Sequence, residues 1–463
     1  MEKENRNILI TCGILMLVVI LCAGFILAAS AGIFIISQRQ SLTPTATEIL
    51  PTPLPPTSSE TDIDPAIANQ MDLIQSQVIS LRGLEPSMAI PRTLLSSDQL
   101  RQNVLDDFLN DYSPEDAEQD ALVLSTLGLL PKDFDLIHFY TELYSEQIAG
   151  YYDDEVGAMF VVQGEGFGGN EKMTYAHEYV HVLQDQVFEF DEGLDYNDES
   201  CEADSERCAG IQALIEGDAT LSEMQWFQKY GTQKDYEDII SFYENFSSPV
   251  YDSAPGYMQQ DFMFPYDKGQ AFVETLYGDG GFSAIDAAYS NVPLSTEQIL
   301  HPEKYPGDKP IPVDLPDLSS ALGVNWVEIE RNVMGEWYTY LILAHGVDAD
   351  IRLDDKTAKP ATEGWGGDTY LVYQNEKSGE IVFVMVSVWD TPRDLDQFKK
   401  AFMDYGDLRW GDSLSSISSE STWQGNDLVS SISVSPNSAT WIIAPSSDLL
   451  YLVTLALTED TVR

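Results

Sequence analysis

TYAHEYVHVLQDQ, residues 174–186, sets two histidines four residues apart around a glutamate, in a 463-residue chain with only five histidines. Met173, Ala176, Val180, Leu183 and Val187 recur at helical spacing, so the stretch predicts an amphipathic helix over residues 171–188. On a helix, positions i and i+4 share one face. His177 and His181 can therefore offer two imidazole nitrogens to one tetrahedral metal. Glu178 projects about 100° around the same axis. From there its carboxylate can reach a water at an open metal position and take its proton, the general-base role in metal-assisted hydrolysis.

Two histidines do not close such a site, because a catalytic metal takes a third protein ligand. Glu216, in ALIEGDATLSEMQWF, is the leading candidate. It lies among Leu214, Ile215 and Ala219, where an unpaired buried carboxylate is costly and a cation would relieve the cost. Glu202, Glu206 and Asp218 are rivals, the first two in an acidic loop, and pairing of Glu216 with Arg207 or Lys229 is the structural alternative. Gly217 suits a helix packed closely on another.

HEYVH followed by IEGDA, with Glu216 coming 35 residues after His181, resembles the gluzincin group of zinc metallopeptidases. HVLQDQ, FPYDKGQAFVETLYGDGG (264–281), STEQILHPEKY (295–305) and GWGGDTYLVY (364–373) resemble uncharacterised bacterial, membrane-anchored proteins of peptidase-MA-like type. The resemblance spans residues 141–405 or so. It implies zinc held by His177, His181 and Glu216, with Glu178 as base and a protein or peptide as substrate. A strand predicted at 158–162, just before the motif, falls where zinc peptidases hold extended substrate. The chain departs from the thermolysin-like pattern in carrying Thr220, not an acid, four residues after the glutamate.

Asp185, one turn beyond His181, and Asp218 are candidates to accept the second ring N–H of a histidine. For a donor to the developing oxyanion, His301 is the expected residue, with Tyr257 and Tyr266 as alternatives. His138 and His345 fall on predicted amphipathic helices and read as packing or surface residues.

The formal net charge is −52 and there is no basic patch, which excludes nucleic acid and anionic lipid headgroups as partners. Residues 8–36 are uncharged and exceed the roughly 20 needed to span a bilayer. They predict one transmembrane helix that runs on past the cleavage-like Ala29-Ser30-Ala31. Lys3 and Arg6 put residues 1–7 in the cytoplasm and the rest outside it. Cys201 and Cys208 are then close enough to close a disulfide loop in an oxidising space.

Residues 37–63 read as a Pro/Ser/Thr-rich stalk, 64–130 as a helical lead-in, 131–358 as a zincin-like metallopeptidase domain and 359–463 as an α+β module. Within these, helices are expected over 209–230, 267–277 and 319–344, and strands over 369–374, 380–389, 427–434, 439–443 and 449–457. The fold class is α+β: mostly helical with a small edge sheet, then the carboxyl-terminal module. The function that follows is a membrane-anchored, outward-facing zinc peptidase. The alternative is a zincin-like module that has kept its fold for binding and lost catalysis.

Overall fold

Local signals start the helices where the chain needs them. Asp64 accepts the N–H of Ala66 and Pro65 fills the first turn, opening α1 (Pro65–Arg82), which Gly83 closes at φ 79°. A computed structural model describes residues 63–460 apart from 148–149, 155–156, 163–165 and 418–419. The expected transmembrane run and nearly all of the stalk lie outside these residues. Among the described residues no helix is long and apolar enough to cross a membrane.

After α1 come β1 (Arg92–Leu95), α2 (Ser97–Asp111), α3 (Pro114–Leu127), α4 (Leu136–Gln147), β2 (Gly150–Asp153) and β3 (Ala158–Val162). The motif helix is α5 (Gly169–Phe188), and α6 (Ser205–Tyr230) carries Glu216. Then follow α7 (Gln233–Asn245), α8 (Gly256–Gly280), α9 (Phe282–Tyr289) and α10 (Thr296–Leu300). The three strands form one small sheet in the order β1-β3-β2, β1 parallel and β2 antiparallel to β3. The expected strand at 158–162 is therefore central, and β1 and β2 are the edges.

Met71, Ile74 and Val78 of α1 pack with Met173, Ala176, Val180 and Leu183 of α5, four of the five residues of the apolar stripe read from the sequence; the fifth, Val187, is exposed. On its other side, α6 approaches α8 at backbone distance. A Cβ on Gly217 would stand 2.3 Å from the Gly269 carbonyl oxygen, and one on Gly269 would stand 2.1 Å from that of Ala213. Only glycine permits this approach.

The carboxyl-terminal part is a seven-stranded antiparallel sheet in the order β4-β5-β6-β10-β9-β8-β7. Its elements are β4 (Trp326–Asn332), α11 (Gly335–Ala344), α12 (Asp355–Thr362), β5 (Trp365–Asn375), β6 (Ile381–Trp389), α13 (Pro392–Trp410), β7 (Ser415–Ile417), β8 (Glu420–Gln424), β9 (Val429–Val434), β10 (Ser438–Ala444) and α14 (Ser447–Asp460). Strand alternation feeds two cores. Tyr370, Val372, Phe383, Met385, Trp441 and Ile443 face α13 and the main core, while Leu371, Tyr373, Val382, Val384 and Ile442 face α14.

Several sequence expectations change here. Residues 319–344 are not one helix: WVEIERN pairs as β4 with β5, so the sheet reaches back across the expected boundary at 358/359. Residues 449–457 are helical, within α14; a short apolar run fits either period, and packing on one sheet face decides for helix. Residues 64–130 are not a separate lead-in, since α1 packs on α5 and β1 pairs with β3. Cys201 and Cys208 form the disulfide.

The glycine contact makes a two-sided expectation. Gly217→Ala forces backbone apart and should cost about 1–3 kcal/mol in urea unfolding. Gly278→Ala, exposed on α8 with nothing within 4 Å of the added methyl, should instead stabilise by up to about 1 kcal/mol. Equal effects from the two would show that the α6–α8 approach does not matter.

Candidate metal centre

Period and packing bring the three expected ligands together. His177 and His181 lie on the buried face of α5, and Glu216 meets them from α6. The Nε2 atoms of the histidines are 3.0 Å apart, and Glu216 Oε2 is 3.2 Å from that of His177 and 3.5 Å from that of His181. Tetrahedral zinc with ligands near 2.0–2.1 Å needs donor atoms about 3.3 Å apart. The triangle has that size.

The surroundings also fix which ring nitrogens carry protons. His181 Nδ1 lies 2.8 Å from Gln184 Oε1. The Gln184 amide cannot be turned, because its nitrogen donates to the Ile215 carbonyl, Asp218 and the Tyr289 hydroxyl. His177 Nδ1 faces Glu223 Oε2 at 3.2 Å, close enough for an ion pair but poorly aligned for a straight hydrogen bond. With acceptors at both Nδ1 atoms, the protons sit there and both Nε2 lone pairs point inward. Three lone-pair atoms then converge in a place with no exposure to water. Such a donor set calls for a cation, and the residues fit zinc.

Behind the ligands stands a buried chain. Arg82 donates from Nε and Nη2 to the two oxygens of Asp218, at 2.8 and 3.0 Å, and Asp218 holds Gln184. Asp218 therefore acts one residue further back than expected. Asp185 takes no histidine N–H; it accepts the Tyr152 hydroxyl and the Phe190 N–H. Glu223 was not singled out in the sequence, although its place seven residues after Glu216 puts it on the same face of α6.

Glu178 is buried beside this cluster. The N–H of Tyr152 in β2 donates to its Oε2 at 2.9 Å, while Oε1 has no hydrogen-bond partner among the described residues. Burial pushes the Glu178 carboxyl up to about 7, against the pull of His181 and His177. Burial would also raise Glu216, but the same histidines more than reverse it and hold that carboxyl lowered. At Glu223 burial wins over His177 and the group is raised.

Of the candidate donors, Tyr266 on α8 is at the site, hydrogen-bonded to Glu216 and close to Glu178. Burial first, then these carboxylates, raise its phenol well above the usual range and keep it protonated. The structure does not bring His301 there. It follows α10, whose Thr296 is bonded to Glu206 at the other end of α6, ten residues and about 15 Å of helix from Glu216. His301 pairs instead with Glu336 at 3.0 Å. Tyr257 lines a neighbouring cavity, His138 is exposed and His345 bonds Tyr340.

Residues 324–454, the sheet from β4 to α14, match a family described as a domain of unknown function, DUF8575. No curated protein matches the chain. A solved structure from Chloroflexus aurantiacus, described as a candidate hydrolase with a novel fold, is similar over 51% of this chain and 86% of its own, at 15% identity and a TM-score of 0.34. A likeness that slight carries no argument.

Removing the third ligand should empty the centre. Glu216→Ala is expected to drop bound zinc, measured by elemental analysis, from near one per chain to near none. Gln184→Ala, which frees the His181 ring, should weaken zinc about 10–100-fold in chelator competition. Full zinc retention by Glu216→Ala would remove Glu216 from the ligand set.

Proposed function

We propose that the protein is a zinc-dependent peptidase of gluzincin type, acting outside the cytoplasm behind a membrane anchor at residues 8–36. The observation that carries the reading is the meeting of His177 Nε2, His181 Nε2 and Glu216 Oε2 within 3.5 Å, with Glu178 Oε1, which has no hydrogen-bond partner among the described residues, beside them. Zinc, when bound, supplies Lewis-acid polarisation of water and of the scissile carbonyl. The rest of the chemistry belongs to the chain.

Tyr152 N–H pins one oxygen of Glu178, which leaves the other to accept the proton of an attacking water and pass it to the leaving amine. Tyr266, protonated and close to Glu178 and Glu216, is placed to donate to the charge that develops on the carbonyl oxygen. Substrate would lie along β2. In an antiparallel pair alternate residues turn their N–H and C=O outward. Tyr152, whose N–H goes to Glu178, is of the outward set, and so is Gly150. An extended peptide can add to that edge by backbone pairing. The Cys201–Cys208 disulfide supports an oxidising compartment.

Glu178→Gln separates catalysis from binding. The variant should hold zinc like the parent and lose about 100-fold or more of its hydrolysis of a casein or mixed-peptide substrate. A zinc-loaded variant that cleaves as fast as the parent would sink the mechanism, and a parent that binds zinc yet cleaves nothing would favour the binding module.

A further inference from the structure

Beside the metal centre lies a cavity of about 100 Å³, well above the ~15 Å³ that a single water needs. Tyr266, hydrogen-bonded to Glu216 at the metal centre, also lines it. Gln212, one turn before Glu216, lines it, and it runs along α6 as far as Glu206, about 9 Å of helix. The cavity thus adjoins the metal centre along α6 and α8.

Its lining has one sign. Asp120, Glu206 and Asp261 contribute carboxylates, five tyrosines contribute aromatic wall, and no Lys, Arg or His lines it among the described residues. Asp120 is 3% exposed; the Tyr112 hydroxyl bonds its Oδ2, and its Oδ1 has no partner among the described residues. The charged groups that act on it are further carboxylates, Glu330 and Asp116. Glu206 is equally buried and is held by the N–H and hydroxyl of Thr296. Gly335, at φ 73°, leaves the space its carboxylate fills, where a Cβ would stand 2.0 Å from Oε2. Asp261 is held by Trp337 and Tyr338. Neutral hydroxyls and ring N–H groups position these acids, and burial pushes Asp120 and Glu206 well above the usual carboxylate range and Asp261 up to about 6, so each is primed to give up its proton when a cation enters. A buried carboxylate oxygen without a partner is costly, and a cation entering between carboxylates and aromatic faces relieves the cost.

We infer that this cavity receives the basic side chain, arginine or lysine, of the bound peptide and so sets the enzyme's specificity. The inference rests on the peptidase reading for the peptide that carries the side chain. A long cationic side chain bridges the span from Gln212 toward Asp120 and Glu206. A short or acidic one leaves the carboxylates unpaired.

The test uses zinc-loaded Glu178→Gln protein, which binds without turnover, and two acetylated, amidated pentapeptides that differ only in a central arginine or methionine. By calorimetry the arginine peptide should bind at least about tenfold more tightly. The ratio should fall to near one in Asp120→Asn. It should also fall in Gln212→Lys, whose ammonium is tethered at the half-buried rim, so the result does not hang on one substitution in the core. Equal binding of the two peptides, or a preference that survives both substitutions, overturns the inference. Hydrolysis of the same peptides by the unsubstituted protein is read separately. Preference in binding with no cleavage of either peptide would sink the peptidase reading and leave the pocket standing; cleavage without preference would do the reverse.

Discussion

Three lone-pair atoms, two imidazole nitrogens and one carboxylate oxygen, meet within 3.5 Å in a region closed to water. Burial opposes a charge on His177, but Glu223 and Glu216 more than reverse it and hold the ring raised well above its usual range, so a proton can stand where a cation would. The surrounding structure is arranged to hold this cluster in place. Gln184 and Glu223 face the outer nitrogens, Asp218 locks the Gln184 amide, and Arg82, reaching in from the last turn of α1, neutralises Asp218. Three helices are thereby tied to one geometry. A cation completes it, which makes metal binding and the stability of this region two views of the same arrangement.

The same constraint explains why α6 and α8 touch at glycines. Glu216 can face the histidines and Tyr266 can face Glu216 only if the two helices lie at backbone distance, and Gly217 and Gly269 permit that. The distant sheet contributes stiffness. Its inner face shares one core with α3, α4, α6 and α8, and Arg409 of α13 donates to the carbonyls of Thr126 and Leu127 at the end of α3. A site built on helices fixed at both flanks holds its side chains better than one carried on loops.

How much of this was legible in the sequence follows from the range of each signal. The i, i+4 histidines and the apolar stripe beneath them are local, and they placed His177 and His181 on one buried face of a helix, with Glu178 about 100° around it and buried too. Glu216 was legible because a carboxylate amid Leu214, Ile215 and Ala219 contradicts its own surroundings. Signals that need two distant segments were not legible. Nothing in GYYD announces an edge strand whose Tyr152 N–H would meet Glu178. Gln184 reads as a surface residue until Asp218 and Tyr289 are beside it. His301 read as a site residue because it sits in a loop before a proline, a weak signal that Glu336 and Glu206 overrule by anchoring that loop elsewhere. The run 449–457 failed for a different reason: nine residues too apolar to show a period take their form from the sheet face that covers them.

What remains is the pattern of local rules broken. The seven-stranded sheet obeys alternation almost residue by residue, and α1 obeys its stripe. One group of violations lies along α6, where Glu206, Glu216 and Glu223 are buried and where Glu178 and Asp120 each keep an oxygen without a partner among the described residues; Glu330 and Glu336 are others, nearer the sheet. A sequence selected for stability alone would have replaced these acids with apolar groups of the same volume, often at no loss. Their burial favours two positively charged visitors of different kinds. Where two histidine nitrogens join the carboxylate, the geometry is that of a metal ion; where tyrosine faces and carboxylates stand without histidine, it is that of a side-chain cation. Both sites lie along one helix and meet at Tyr266, so on the proposed reading a peptide held in the second would lie against the first.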